Sequence, residues 1–199
     1  MIAEEMPLYE IRPSNESTLR LEISRKGLLA GERHILFFDR YSGRILYDQQ
    51  NPERSDMRFV VESRSCTCKD KWLKRKQREK VVSFTLRKML AADRFPKIEF
   101  KSTGVTKKAS HQYHVQGDLT IRGLTRPTFI QVAARQIGEE RLEFDGEAIV
   151  RMDDYGMEPP TSILGFAGTK NKMRLRFLFW AKRVKADAGG TSFSGALIT

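Results

Sequence analysis

The sequence predicts an all-β protein of about eight antiparallel strands with one inserted helix. Apolar and polar residues alternate with a period of two over most of the 199 residues, as in strands that bury one face. Between about residues 70 and 93 this alternation gives way to strong helix formers with apolar residues at helical spacing. Short connections containing Gly, Pro or Ser join most segments. A chain of this length fits one all-β domain.

Three alternating segments precede the predicted helix: residues 18–24, 33–48 and 57–62. In the second of them, Ser42-Gly43 predicts a kink. The helix is expected to end at Phe95-Pro96, because the residue before a proline is driven towards extended conformations.

Five alternating segments follow the helix: residues 98–102, 113–121, 128–137, 142–150 and 173–179. The turns at Gly123–Pro127 and Gly138–Glu140 separate three of them. We predict one domain over residues 1–184 and a mobile tail over residues 185–199, which are rich in Gly, Ser and Ala. An antiparallel sheet of this size can bury its apolar face as a sandwich or as a closed barrel, and the pattern alone leaves both open.

The positive charge of the chain is concentrated in the predicted helix. Of a formal net charge of +11, the segment 69–88 contributes +7, from nine Lys or Arg and two acidic residues. Such a local patch fits a solvated face, peripheral contact with an anionic membrane, or an anionic head group. RNA binding is disfavoured because the strand aromatics mostly share the apolar face. The patch consists of Lys71, Trp72, Lys74, Arg75, Lys76, Arg78 and Lys80.

No constellation for catalysis or metal binding emerges from the sequence. Cys66 and Cys68, one residue apart, are predicted to be free thiols rather than a disulfide or a zinc site. Asp153-Asp154 is predicted to be a solvated turn. Because no nucleophile–base pair, metal-ligand set or phosphate-binding loop can be assembled, we predict a protein that is not an enzyme, with no catalytic residues, no metal and no cofactor. The acidic N-terminus has no apolar stretch of signal-peptide length, which predicts a cytoplasmic protein.

Four stretches in matching order resemble the YceI-like, or polyisoprenoid-binding, family. They are YSGRILYD at 41–48, RFPKIEFKST at 94–103, GDLTIRGLTRPTFIQV at 117–132 and RMDDYGM at 151–157, and the resemblance covers roughly residues 8–182. It implies an eight-stranded antiparallel lipocalin-like β-barrel, often a homodimer, with an isoprenoid chain along its axis and no established catalytic residues. The basic run between Lys69 and Lys80 departs from the family's usual polar loop.

Together these observations predict the carriage of a long apolar lipid, of the polyisoprenoid or isoprenoid quinone type, inside the barrel. Gly117, Gly146 and Ala148 are expected to leave volume for it. The alternative is a basic adaptor that binds nucleic acid or an anionic membrane and has a barrel filled by side chains. The residues predicted to line the cavity are Phe59, Phe100, Tyr113, Val115, Gly117, Leu119, Phe144, Gly146, Ala148, Val150, Met173, Leu175 and Phe177.

Overall fold

The protein is mostly β, and its strand segments pair antiparallel. The computed structural model describes residues 6–25, 33–158 and 169–184, so the predicted tail at 185–199 lies outside the described residues. The described segments are β1 (Leu8–Ile11), β2 (Thr18–Arg25), β3 (Arg33–Phe38), β4 (Tyr41–Leu46), β5 (Asp56–Glu62), β6 (Cys66–Cys68), β7 (Lys97–Ala109), β8 (Gln112–Ile121), β9 (Leu124–Ile137), β10 (Arg141–Arg151) and β11 (Thr169–Arg183).

Eight of these segments form a closed barrel. They follow one another around the wall in the order β1-β4-β5-β7-β8-β9-β10-β11, and β11 returns to pair with β1. At this closure Tyr9 lies opposite Arg183 and Ile11 opposite Ala181. The predicted eight-stranded antiparallel barrel is therefore confirmed, and the choice between sandwich and barrel is decided by the β1–β11 pairing. An eight-stranded barrel is just wide enough for side chains or one small ligand to fill its interior.

The other three segments extend the barrel on one side. Strand β2 pairs with β11, β3 pairs with β2, and β6 pairs with β3. The chain passes from β3 to β4 through exposed Asp39-Arg40, so the kink predicted at Ser42-Gly43 is wrong. Gly43 lies inside β4 opposite Phe59, and its missing side chain makes room for the Phe59 ring.

The helix is shorter than predicted at both ends. Helix α1 spans Arg75–Phe84 and continues as a single π-helical turn over Thr85–Met89. Residues before it are held to the sheet, because the Asp70 carboxylate accepts hydrogen bonds from the His34 ring at 2.9 Å and from the Ile35 amide at 3.0 Å. The helix ends well before Phe95-Pro96, because Ala91 takes a left-handed conformation with φ of 47°. Among the described residues, no helix has the length and apolar character needed to cross a membrane.

Candidate binding cavity

Two apolar cavities lie in line inside the barrel. The helix-end cavity, of about 90 Å³, is closed at one end by Thr85, Met89 and Leu90 from the π-helical turn and the residue after it. The hairpin-end cavity, of about 60 Å³, lies towards the β7–β8 hairpin. Along β8, Tyr113 and Val115 line the hairpin-end cavity and Leu119 and Ile121 line the helix-end cavity, so the two follow one another along this strand.

An aromatic partition separates the two cavities. Phe177 and Phe179 line both of them, with their rings stacked at a centroid distance of 4.9 Å. The Phe59 ring lies 4.9 Å from that of Phe179, and the Tyr41 ring lies 5.2 Å from it. We call Tyr41, Phe59, Phe177 and Phe179 the aromatic partition.

The volume expected beside Gly117 and Gly146 is occupied by aromatic rings. A Cβ atom on Gly146 would lie 2.4 Å from Cζ of Phe177, and one on Gly117 would lie 2.3 Å from Cζ of Phe100. These glycines allow rings to lie flat against the wall, as in sheets where an aromatic side chain covers a neighbouring glycine. Ala148 is buried in the same wall.

The structure brings ten of the predicted cavity residues together around the two cavities. Tyr113, Val115 and Phe144 line the hairpin-end cavity, and Phe177 lines both. The remaining members line the helix-end cavity: Phe59, Phe100, Leu119, Val150, Met173 and Leu175.

Sequence reasoning missed the lining residues from β2, β3 and the helix. Leu19 and Leu21 alternate on β2, and Phe38 ends β3, and all three line the helix-end cavity. Their alternation was visible in the sequence, but the sequence did not show that the β2–β3 extension packs over this end. Met89 and Leu90 belong to the apolar face of the predicted helix, whose position against the barrel only the fold defines.

Polar side chains line part of the hairpin-end cavity, among them Tyr47, Asp56 and Tyr113. Burial raises the pKa of Tyr47, and its hydrogen bond with Tyr113 acts in the same direction. Nearby, the Ser102 hydroxyl donates to the Asp56 carboxylate at 3.0 Å and accepts from the Met57 amide at 2.8 Å.

The two cysteines are free thiols, as predicted. Burial raises the pKa of Cys66 to about 12 and that of Cys68 to about 11. Because the thiolate is the reactive form, both side chains are weak nucleophiles at neutral pH.

The predicted basic patch is exposed except for half-buried Arg78, and its members differ in their contacts. Arg75 pairs with Glu79 at 2.9 Å, and Arg78 donates to the carbonyl oxygens of Asp70 and Leu73. Trp72 is 43% exposed. Its ring lies 5.1 Å from the His34 ring and 5.6 Å from the Arg25 guanidinium. The lysines of the patch are all exposed: Lys71, Lys74, Lys76 and Lys80.

Asp153 and Asp154 lie in a 3-10 turn, Asp153–Tyr155. Hydrogen bonding by Arg151, at 2.6 Å, lowers the pKa of Asp153, and the Asn171 side chain adds to the effect. Both aspartates are exposed, in agreement with the predicted solvated turn. Within residues 6–25, 33–158 and 169–184, no three His, Cys, Asp or Glu side chains come together as a metal site.

A closed eight-stranded barrel with an apolar interior defines a small lipocalin-like β-barrel. Residues 9–180 match the YceI-like domain, and the chain belongs to that family.

Curated relatives are about a quarter identical to this chain over the residues that align. A UPF0312 protein of Vibrio cholerae is 28% identical over 126 residues, which is 61% of this chain and 63% of the relative. A UPF0312 protein of Pseudomonas putida is 26% identical over 128 residues, 62% of this chain and 63% of the relative. The match thus spans less than two thirds of the length of these relatives.

Solved structures share the fold at lower identity. BcnA of Burkholderia cenocepacia superposes with a TM-score of 0.68 at 14% identity, over 82% of this chain and 95% of BcnA. A polyisoprenoid-binding domain from Saccharophagus degradans, implicated in plant cell wall breakdown, gives a TM-score of 0.66 at 11% identity, over 88% of this chain and 98% of that domain.

Proposed function

We propose that the protein binds and carries a long apolar lipid, of the polyisoprenoid or isoprenoid quinone type, along the axis of its barrel. The observation that carries this proposal is the pair of apolar cavities in line, with Phe177 and Phe179 common to both. A long, thin apolar molecule is the ligand shape that such an interior fits. The polyisoprenoid-binding domain of Saccharophagus degradans, which shares the fold, supports the same class of ligand. Membership of the YceI-like family supports a binding protein rather than an enzyme.

Binding a long chain requires the aromatic partition to move. The cavities of about 90 and 60 Å³ are each smaller than the cavity of roughly 150 Å³ that accepts benzene in an engineered protein core. A chain that occupies both must displace the rings of Phe177 and Phe179. Each CH₂ group removed from water contributes about 0.8 kcal/mol, which offsets this rearrangement only when the chain is long. We therefore expect affinity to rise with chain length and then to level off.

Native mass spectrometry with prenyl alcohols of increasing length tests the proposal. We expect affinity to increase with each added isoprene unit up to a limit, because the chain adds buried area until the interior is full. Organic extraction of the complex should return the alcohol chemically unchanged. Affinity that does not depend on chain length, or recovery of a modified alcohol, would contradict carriage in the barrel.

A second proposal is that helix α1 contacts an anionic membrane surface. The helix and the turn before it expose Lys71, Lys76 and Lys80, and the π-helical turn that follows closes the helix-end cavity. Basic residues near an anionic bilayer are worth about 1 kcal/mol each. The helix would then hold this end of the barrel against the source of the lipid.

Charge reversal tests this contact. Replacing Lys71, Lys76 and Lys80 by Glu should weaken binding to vesicles containing phosphatidylglycerol and reduce its salt dependence. The control makes the same charge change on the exposed lysines of β7: Lys101, Lys107 and Lys108. Equal losses in both variants would indicate a non-specific effect of net charge. Binding to an oligonucleotide in preference to vesicles, lost only in the helix variant, would instead favour the adaptor.

A further inference from the structure

The barrel wall opens between β9 and β10. Their pairing runs from Arg141 opposite Ile137 to Ala148 opposite Ile130 and stops there. Strand β9 nevertheless begins at Leu124, where it pairs with β8, and β10 continues to Arg151, where it pairs with β11. Residues 124–129 of β9 and 149–151 of β10 are therefore not paired with each other, although each strand stays paired with its other neighbour. We call this opening the β9–β10 split.

An outer groove lies over the split and is separated from the interior by a single layer of side chains. The groove has a volume of about 450 Å³. Thr128, Ile130 and Val150 line both the groove and the helix-end cavity. Phe129 and Ile149 flank the groove and are 64% and 48% exposed. Large apolar side chains are thus exposed at the place where the outside comes closest to the apolar interior.

The segment Met152–Met157 fills the split, and its Tyr155 lines the outer groove. Tyr155 is 2% exposed, and its phenol donates to the Leu119 carbonyl oxygen at a distance of 3.4 Å. Met157 lines the helix-end cavity. The chain between them turns at Gly156, whose φ of 61° is favourable for glycine. Hydrogen bonds with the Leu119 carbonyl oxygen and with the Thr128 side chain therefore hold the phenol in place.

The rim of the groove is polar and of mixed charge. Arg126, Arg151 and His114 line it together with Glu147 and Asp154. Arg151 pairs with Asp153 and Asp154, and Glu147 pairs with Arg176 and Arg174. An apolar opening inside a polar rim fits an amphiphile that enters by its chain while its head group stays in water. Such an amphiphile is the ligand class of the proposed function.

We propose that the β9–β10 split is the portal through which the apolar chain of the lipid passes from the outer groove into the helix-end cavity, with Tyr155 closing it. This inference rests on the proposed function. The helix end of the barrel is closed by Thr85, Met89 and Leu90. At the split, one layer of side chains and the short segment Met152–Met157 lie between the groove and the cavity.

A reversible cross-link across the split tests the portal. Continuing the register beyond Ala148 and Ile130 places Ile149 opposite Phe129. The double variant Phe129→Cys/Ile149→Cys, in a Cys66→Ala/Cys68→Ala background, is joined by a reducible bismaleimide. We expect uptake of geranylgeraniol, followed by native mass spectrometry, to slow at least tenfold and to recover after reduction.

The matched control joins the same two strands where their ladder is intact. Asp145 lies opposite Ala133, so the control is Ala133→Cys/Asp145→Cys in the same background. Its cross-link should leave the rate unchanged. Uptake at the parental rate in both cross-linked proteins, or equal slowing in both, would overturn the portal. If the uncross-linked parent takes up no geranylgeraniol at all, the proposed function itself fails.

Removing the phenol hydroxyl gives an independent readout. Tyr155→Phe should accelerate both uptake and release about threefold or more and leave the equilibrium affinity unchanged, because it weakens only the closed position. Tyr9→Phe is the control, since Tyr9 is equally buried and its phenol also donates to a carbonyl oxygen, that of Glu139, at 3.4 Å. Rates that change equally in both variants, or in neither, would contradict closure by Tyr155.

Discussion

Replacing Gly146 by alanine tests whether its missing side chain is what lets Phe177 form the aromatic partition. The added Cβ would lie 2.4 Å from Cζ of Phe177 and 2.6 Å from the carbonyl oxygen of Gln131. The ring can turn away, but the carbonyl belongs to the paired strand β9 and cannot. Overpacking of this kind costs about 1–3 kcal/mol. At roughly 2–4 °C per kcal/mol for a domain of this size, the melting temperature should fall by about 2–12 °C.

Gly104→Ala is the matched control. Gly104 also lies in a strand, β7, but a Cβ there would have no atom within 4 Å. Alanine should stabilise this position by about 0.4–1 kcal/mol, because it reduces the conformational freedom of the unfolded chain. Thermal unfolding followed by circular dichroism measures both. The reasoning is refuted if Gly146→Ala is as stable as the parent protein, or if the two variants shift in the same direction.

Three further predictions concern the interior and the anchoring of the helix. Phe179→Ala should lower the unfolding free energy by about 3–5 kcal/mol. Because the partition then loses its central ring, the affinity for long relative to short prenyl alcohols should rise, and an unchanged ratio of affinities would argue against the partition. Asp70→Ala should lower the unfolding free energy by about 1–3 kcal/mol in urea, because it removes the acceptor of the Ile35 amide and one hydrogen-bond partner of the His34 ring. A midpoint equal to that of the parent would contradict this anchor. Cys66 and Cys68 should react slowly with a disulfide reagent at pH 7 and rapidly in guanidinium, because burial raises their folded-state pKa values to about 12 and 11; fast reaction of the native protein would refute this burial. The stability that the buried neutral thiols contribute is complete below the unfolded thiol pKa and is lost as the pH rises from there through the folded-state values.

The all-β class and most strand positions could be predicted from the sequence, because a strand with one buried face has an apolar residue at every second position. Leu119 and Ile121 on β8 are buried as their alternation predicts, and so are Phe177 and Phe179 on β11. The free thiols and the exposed lysines of the helix followed from local chemistry in the same way. Homodimer formation and a cytoplasmic location stay predictions.

The limits of the helix depended on contacts that local pattern does not encode. Residues 70–74 have helical propensity, but the carboxylate of Asp70 is bound to β3, a segment distant in sequence. At the other end, Ala91 carries the left-handed conformation that glycine usually supplies, so no local signal marked the stop.

The character of the interior was decided by tertiary structure. Alternation shows that Gly117 and Gly146 lie in strands. It does not show that rings from neighbouring strands cover them, because a glycine in a strand pattern is equally consistent with empty space and with a ring against the backbone. The β9–β10 split is invisible in the sequence for a similar reason, since both strands continue their alternation past Ile130 and Ala148, where their pairing ends. The sequence by itself therefore determined which residues face inward. Only the closed barrel decided which of them leave space, because free volume depends on the distances between strands that are far apart in the chain.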